Sequence, residues 1–485
     1  MSDKVAIRRL PTGVPGLDDL LGGGLPEFSF NLLAGTPGSG KTTLAHQMMF
    51  SLANPERRAL FFTVLGESPI KMLRYQQQFP FFDISKVNQS IKFVNLAADL
   101  LEGDFDRVLD HISEEVKSFS PSLVFVDSFR SVVQAAKVMD SGASGLQHFV
   151  QQLGMRMSSW QATTFLIGEY LTPEAEASPV FTVADGIIWM SQQLHRDAMI
   201  RKIQVVKMRG QAQSPGVHTF RINNDGIEIF PRAVINPNAA PVLQIVGNQR
   251  QSIGVPALDD MMGGGIPVGY SLLLVGPSGS GKTVLATQFL AEGARIGEPG
   301  VIAAFEKSPN QLLSHALNKL VKGGHVGVIN TRTLDLSLDE ILHDMVDMIT
   351  RMKAKRVVID SLSGFELALA SVFREDFREA LYRMVAVLTG MGVTVLMTAE
   401  LEDQYSMLRF SSYGNAFLAD AIVMQRYVEI AGQFKRVISV VKVRASSHSK
   451  DIRFFDIEPD NIIIGEPLMH YQGILSGRPT TLLQS

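Results

Sequence analysis

The feature that most constrains this chain is an octapeptide it carries twice: Gly35-Thr36-Pro37-Gly38-Ser39-Gly40-Lys41-Thr42 and Gly276-Pro277-Ser278-Gly279-Ser280-Gly281-Lys282-Thr283. Both copies satisfy the P-loop pattern G-x-x-x-x-G-K-S/T at every fixed position. An apolar, strand-like run precedes each (Phe30–Ala34 and Leu272–Val275), and a helix-like stretch follows each (Thr43–Ser51 and Val284–Gly293). Strand, loop and helix in that order are what a phosphate cradle needs. Glycines let successive backbone N–H groups converge on phosphate oxygens, and a helix start adds positive dipole and unpaired donors. The expected nucleotide-binding segments are therefore Thr36, Pro37, Gly38, Ser39, Gly40, Lys41, Thr42 and Thr43, and Ser278, Gly279, Ser280, Gly281, Lys282, Thr283 and Val284. In such loops the lysine reaches the β- and γ-phosphates and the threonine hydroxyl ligates Mg²⁺. A ligand-free glycine turn is the bland alternative, and the agreement of two copies argues against it.

The duplication extends well beyond the octapeptide. Thr12-Gly-Val-Pro-Gly-Leu-Asp-Asp-Leu-Leu-Gly-Gly-Gly-Leu-Pro26 recurs as Ile253-Gly-Val-Pro-Ala-Leu-Asp-Asp-Met-Met-Gly-Gly-Gly-Ile-Pro267. Asp18 to Asp259 is an offset of 241, as is Lys41 to Lys282; Asp127 to Asp360 is 233 and Lys207 to Lys442 is 235. A period this long means a duplicated domain, not a solenoid. The expected division is 1–235, 236–465 and a short tail, 466–485, with an extended linker in the proline-bearing seam from Pro231 to Arg250. Within the first copy, apolar runs such as Ala59–Leu65, Ile91–Val94, Leu123–Val126 and Thr164–Ile167 alternate with helical patterns, which indicates a parallel sheet covered on both faces. After Asp185 the pattern changes to successive strands, Gly186–Met190, Lys202–Lys207 and Phe220–Phe230, with short turns. Each half is thus expected to be an α/β domain: a mainly parallel sheet flanked by helices, ending in an antiparallel β extension.

Composition narrows the function. With 45 basic and 48 acidic residues the net charge is −3, so no global basic field draws the chain to nucleic acid or an anionic membrane. There are no cysteines among the 485 residues, which removes thiolate metal sites and cysteine nucleophiles and suits a reducing cytosol. The start lacks the apolar core of a signal peptide, and no uncharged apolar run reaches the roughly 18 residues a membrane span needs. A cytoplasmic protein is the expectation.

Further candidate residues cluster around the phosphate loops. Leu123-Val-Phe-Val-Asp127 and Arg356-Val-Val-Ile-Asp360 are apolar strands ending in an acid, where such enzymes hold Mg²⁺ beside the P-loop threonine. Hydrolysis also needs a group that orients or deprotonates water. Aligned on the following Ser-Pro, Gly66-Glu67 faces Glu306-Lys307, so each half keeps one carboxylate at a different position; Glu67 and Glu306 are the candidate bases. Glu169 and Glu400 end later strands, where they are either contacts for the γ-phosphate region or solvated strand ends. Val206-Lys207-Met-Arg209 and Val441-Lys442-Val-Arg444 place two cations at alternate strand positions, hence on one face, which suits phosphate charge stabilisation across to a neighbouring subunit.

Taken together and in order, these motifs resemble the KaiC family, double-domain RecA-like ATPases of the bacterial circadian clock and their relatives outside it. The resemblance covers about residues 8–480. It implies a homohexamer of two stacked rings with ATP bound between adjacent subunits, and a KaiB-type protein as a partner for the N-terminal ring. It also implies that Lys207 and Arg209, and Lys442, Arg444 and His448, approach the neighbour's nucleotide, and that Asn224 lies near the nucleotide. The departures are informative. Family sites usually carry two adjacent glutamates, so Gly66 puts fast hydrolysis in the first ring in doubt, whereas Glu306 matches the position of the family's general base. The clock proteins phosphorylate an adjacent Ser-Thr pair shortly before an Asp and a Tyr-Val-Glu-Ile strand. Here Asp420 and Tyr427–Ile430 are kept, but the acceptor positions hold Ala416 and Phe417, with Ser411 and Ser412 offset by several residues. No clock-type phosphorylation cycle is expected. With the last residue at Ser485, the extended segment through which clock proteins engage an activating partner is not expected.

The leading expectation is an ATPase that acts as a nucleotide-dependent regulatory switch. A DNA-dependent recombination or helicase-type ATPase uses the same core, but the acidic balance and the lack of a basic-aromatic segment argue against nucleic acid. A scaffold that binds ATP only for assembly is the non-enzymatic alternative.

Overall fold

The structure, a computed structural model, describes residues 7–64, 69–101, 105–132, 142–171, 179–195, 198–232, 249–305, 315–330, 337–369, 377–401, 418–430, 432–458, 461–469, 471–474 and 480–481. The chain divides into two compact units, Met1–Arg232 and Ala233–Ser485.

In the first unit the described strands are β1 (Phe30–Gly35), β2 (Ala59–Thr63), β3 (Ile91–Asn95), β4 (Leu123–Asp127), β5 (Thr163–Glu169), β6 (Gly186–His195), β7 (Ala198–Met208), β8 (His218–Asn223) and β9 (Gly226–Phe230). They form one nine-stranded sheet in the order β9-β8-β7-β6-β1-β5-β4-β2-β3. The six strands from β3 to β6 run parallel, and β6 to β9 run antiparallel. The second unit repeats the plan with β10 (Ser271–Gly276), β11 (Gly300–Ala304), β12 (Val326–Asn330), β13 (Arg356–Asp360), β14 (Thr394–Glu400), β15 (Ala421–Ile430), β16 (Gln433–Val443), β17 (Ile452–Glu458) and β18 (Asn461–Pro467). Its order, β12-β11-β13-β14-β10-β15-β16-β17-β18, is the same arrangement strand for strand. These are tandem RecA-like α/β units.

The apolar runs are continuous because both faces of each parallel region are covered. Alternate residues therefore enter different layers. Phe61, Leu123 and Phe125 pack into one core with the helix α1 (Lys41–Leu52), while Leu60, Phe62, Val124 and Val126 pack into another with α2 (Phe105–Phe119) and α3 (Gly142–Ser159). Helix α2 contributes Val108, Leu109, Ile112 and Val116, one stripe of a 3.6-residue period. The second unit's α5 (Leu338–Met352), which follows α4 (Lys282–Arg295), begins with a reciprocal capping box between Ser337 and Glu340, satisfying two of the donors a helix start leaves open.

One expected strand is in fact two. Phe220–Phe230 folds as a hairpin, because Asp225 N donates to the Asn223 side chain at 2.8 Å and Gly226 takes φ 118°. An Asn-Asn-Asp-Gly sequence carries its own turn. Elsewhere β6 and β7 extend several residues beyond the expected Gly186–Met190 and Lys202–Lys207. Most of the seam between the units, residues 233–248, lies outside the described residues. Among the described residues, no helix is long and apolar enough to cross a membrane.

Candidate functional site

In both units a fully buried central strand, β1 or β10, ends at the first glycine of the octapeptide, and α1 or α4 begins at its lysine. Gly40 and Gly281 cap these helices at φ 96° and 103°, a left-handed conformation that glycine adopts without a Cβ penalty. A Cβ at Gly40 would stand 2.7 Å from Ile222 Cδ1, and one at Gly281 2.5 Å from Ile457 Cδ1. The loop is thus pressed against the antiparallel extension, and its turn is open only to glycine.

The loops are braced from the neighbouring strand. Gln192 on β6 donates through its backbone N–H to Thr36 Oγ1 at 3.2 Å and through its side chain to Pro37 O at 3.0 Å. In the second unit Tyr427 on β15 donates its hydroxyl to Gly279 O at 2.7 Å, and Ser280 donates to the Gln425 side chain at 3.1 Å. Sequence reasoning missed Gln192 and Gln425 and gave Tyr427 no role at the loop. The register signals it, since β6 and β15 pair directly with the loop's strand.

Lys41 Nζ donates to Thr36 O at 2.7 Å, and Ser39 Oγ lies at 3.5 Å; Lys282 Nζ donates to Gly276 O and Pro277 O at 2.7 and 2.8 Å. Both ammonium groups are held over the loop by its own carbonyls. Burial lowers the Lys41 pKa from its ordinary value, and the nearby carboxylates of Glu169 and Asp127 oppose that shift. Thr43 lines a cavity beside Lys41 and Thr42, Ser278 is exposed and Val284 half-buried.

Strands β4 and β13 deliver the aspartates. Thr42 Oγ1 donates to Asp127 Oδ2 at 2.7 Å, and Thr283 Oγ1 donates to Asp360 Oδ2 at 2.8 Å. Thr398 donates to the other Asp360 oxygen at 2.5 Å. Among the described residues no group of three or more His, Asp or Glu stands ready to hold a metal by itself. A hydroxyl–carboxylate pair of hard oxygens suits Mg²⁺, which keeps waters and takes substrate phosphates as its remaining ligands. In the first unit these residues surround a cavity of about 550 Å³ that also includes Glu169, Arg130 and Gln76, a volume within the range of small-molecule sites.

The paired cations stand elsewhere. Lys207 pairs in register with Ile187, and Arg209 donates to Asp185 at 3.0 Å. Asp185 in turn receives the backbone N–H of Phe30, the first residue of β1. The second unit repeats this: Arg444 donates to Asp420 at 3.0 Å, and Asp420 receives the N–H of Ser271, the first residue of β10. Lys207 Nζ donates to Thr182 O and Lys442 Nζ to Ala419 O. Burial and the adjacent arginine lower both lysine pKa values, and Asp185 or Asp420 opposes this. Each Lys-x-Arg pair therefore lies at the start of the central strand, whereas the phosphate loop lies at its end. Five residue steps from Phe30 to Gly35 make about 17 Å along the sheet. His448 follows Arg444 after β16, its Nδ1 buried without a hydrogen-bond partner among the described residues. Asn224 sits at the exposed tip of the β8–β9 hairpin, close in sequence to Ile222 on the loop side of its own unit. Glu400 is exposed at the end of β14, paired in register with Gly276. The candidate bases Glu67 and Glu306 lie outside the described residues, as do Gly66, Lys307, Ser411, Ser412, Ala416 and Phe417.

A parallel core with a P-loop on its central strand and an acid-tipped strand two places away defines a P-loop ATPase of the RecA-like class, present here in tandem. A family model described as an ATPase, KaiC, matches residues 10–234 and 251–469. The chain belongs to the KaiC family. It is 28% identical to the circadian clock oscillator protein KaiC of Picosynechococcus sp., over 98% of this chain and 93% of that one. It is also 28% identical to KaiC of Thermostichus vulcanus, over 98% and 92%, and to circadian clock protein KaiC3 of Synechocystis sp., over 99% and 96%.

Proposed function

We propose that this chain is a nucleotide-dependent switch: a homohexamer of two stacked rings that binds and hydrolyses Mg·ATP at subunit interfaces. The observation that carries this reading is the position of the Lys-x-Arg pairs. In both units they stand at the opposite end of the central strand from their own phosphate loop, yet each is held in place by a dedicated aspartate. A cation pair so anchored, and unable to serve its own loop, is suited to the loop of a neighbouring copy.

In each site Lys41 or Lys282 turns from the loop carbonyls to the β- and γ-phosphates, and the backbone N–H groups of Gly38–Thr43 or Gly279–Val284 hold the remaining oxygens. Thr42 with Asp127, and Thr283 with Asp360, are the residues to hold Mg²⁺, which when bound offsets charge on the transferring phosphate. Glu67 and Glu306 orient the water and take its proton. Lys207 and Arg209, or Lys442, Arg444 and His448, close over the γ-phosphate from the next subunit, while Asn224 borders the first unit's own nucleotide. Because γ-phosphate contacts bridge two copies, hydrolysis changes the geometry of the ring. A KaiB-like protein reading the N-terminal ring is the proposed partner. With Ala416 and Phe417 at the acceptor positions, the switch runs on nucleotide state alone, without a clock-type phosphorylation cycle. The test is ATP turnover by Glu67→Gln and Glu306→Gln separately. Each substitution should slow turnover, Glu306→Gln the more; wild-type rates in both would remove the assigned bases.

A further inference from the structure

The N-terminal phosphate cavity holds a cation that the C-terminal sequence does not provide. Aligned on the metal-side aspartates, Asp127-Ser128-Phe129-Arg130 faces Asp360-Ser361-Leu362-Ser363. Arg130 lines the cavity together with Lys41, Thr42, Asp127 and Glu169, and its guanidinium donates to the main-chain oxygen of Glu169 at 2.7 Å. Strand order fixes which end of the cavity this is. Strand β5 lies between β1 and β4, and its last residue, Glu169, pairs in register with Gly35 at the start of the phosphate loop. Arg130, three residues beyond Asp127, thus bridges from the metal-side strand towards the loop. Lys41, Asp127 and Arg130 all line this one cavity, so lysine, aspartate and arginine converge on one region. In a P-loop site the lysine and the threonine–aspartate pair meet at the γ-phosphate. Gln76, only 6% exposed, borders the same cavity, and its side-chain oxygen has no hydrogen-bond partner among the described residues.

We propose that Arg130 is a γ-phosphate-binding residue of the N-terminal site, supplied by the same subunit as the P-loop and separate from the cations of the neighbour. A guanidinium carries five N–H donors in a planar fork, so a bond to the Glu169 carbonyl is compatible with a hold on phosphate oxygens. The two rings then read nucleotide differently: the N-terminal site distinguishes ATP from ADP through a contact for which the C-terminal site has a serine. This rests on nucleotide binding at the N-terminal P-loop, and the experiment separates the two claims.

In the full chain carrying Lys282→Ala, so that binding reports the N-terminal site, affinities for a non-hydrolysable ATP analogue and for ADP are measured with Mg²⁺ by displacement of a fluorescent nucleotide. Arg130→Ser should weaken the ATP analogue about tenfold, the loss of a charge-assisted contact, while ADP affinity stays near its starting value. Arg130→Lys should recover part of the loss. An equal loss for both nucleotides would mean that Arg130 only supports the loop through Glu169 and would overturn the proposal, as would no loss for either. Lys41→Ala in the same background must abolish binding of both; if it does not, the reading of the N-terminal P-loop fails instead.

Discussion

His46 makes the nucleotide-binding helix of the first unit acid-sensitive in a way that can be calculated. It lies one helical turn beyond Thr42 on α1, fully buried, stacked on Phe61 with ring centroids 4.6 Å apart. Among the described residues neither ring nitrogen has a partner in good hydrogen-bonding geometry, and the nearby Thr42 backbone only partly opposes the effect of burial. Burial lowers its pKa from 6.5 to about 3, because charging the ring there forfeits its hydration. The native pKa lies below the unfolded one, so between pH 6.5 and 3 the unfolded chain binds a proton that the folded chain refuses. Stability therefore falls as pH drops through that window. With these two values, acidifying from pH 7 to pH 5 costs about 2 kcal/mol through this one residue. Both tryptophans, Trp160 and Trp189, belong to the first unit, so urea unfolding followed by their fluorescence reports that unit within the full chain. Wild type should lose about 2 kcal/mol more than His46→Leu between pH 7 and pH 5. Equal losses in the two proteins would refute the reasoning.

Two further substitutions probe the loops themselves. Gly40→Ala places a Cβ 2.7 Å from Ile222 Cδ1 at φ 96°, a strain of roughly 1–3 kcal/mol; nucleotide affinity of the first unit should fall in equilibrium binding, while Gly216→Ala, equally left-handed at φ 94° but with no described atom within 4 Å of its Cβ, carries the backbone strain without the loop contact and leaves affinity intact. Tyr427→Phe removes only the hydroxyl that donates to Gly279 O at 2.7 Å; KM for ATP at the C-terminal site should rise several-fold with kcat little changed, about the worth of one hydrogen bond near 1 kcal/mol.

Much of the architecture can be read from the chain because its signals are local. Each octapeptide dictates strand, turn and helix over its own length, and runs such as Leu123–Val126 are apolar throughout because both faces of the sheet are covered. The Asp127 and Asp360 contacts with Thr42 and Thr283 join motifs 85 and 77 residues apart, yet each motif is recognisable alone. What escaped has no local pattern. Gln192 and Arg130 are ordinary residues until the sheet order brings β6 beside the loop and β5 between β1 and β4. His46 reads as one polar position in a helix, and only tertiary packing makes it a buried, unpaired ring. The β8–β9 turn is hidden for the opposite reason: the apolar residues on both sides of Asn223–Gly226 mask the turn sequence between them.

The central claim is that each ATP site is completed by the neighbouring copy, and subunit mixing tests it most directly. One protein carries Glu67→Gln and Glu306→Gln, with its Lys-x-Arg pairs intact; the other carries Arg209→Ala and Arg444→Ala, with its carboxylates intact. Each alone should be nearly inactive. In an equal mixture exchanged into common rings, about one interface in four pairs an intact catalytic face with intact arginines, so turnover should return to about a quarter of the wild-type rate. A mixture no more active than its two components measured apart would contradict the account.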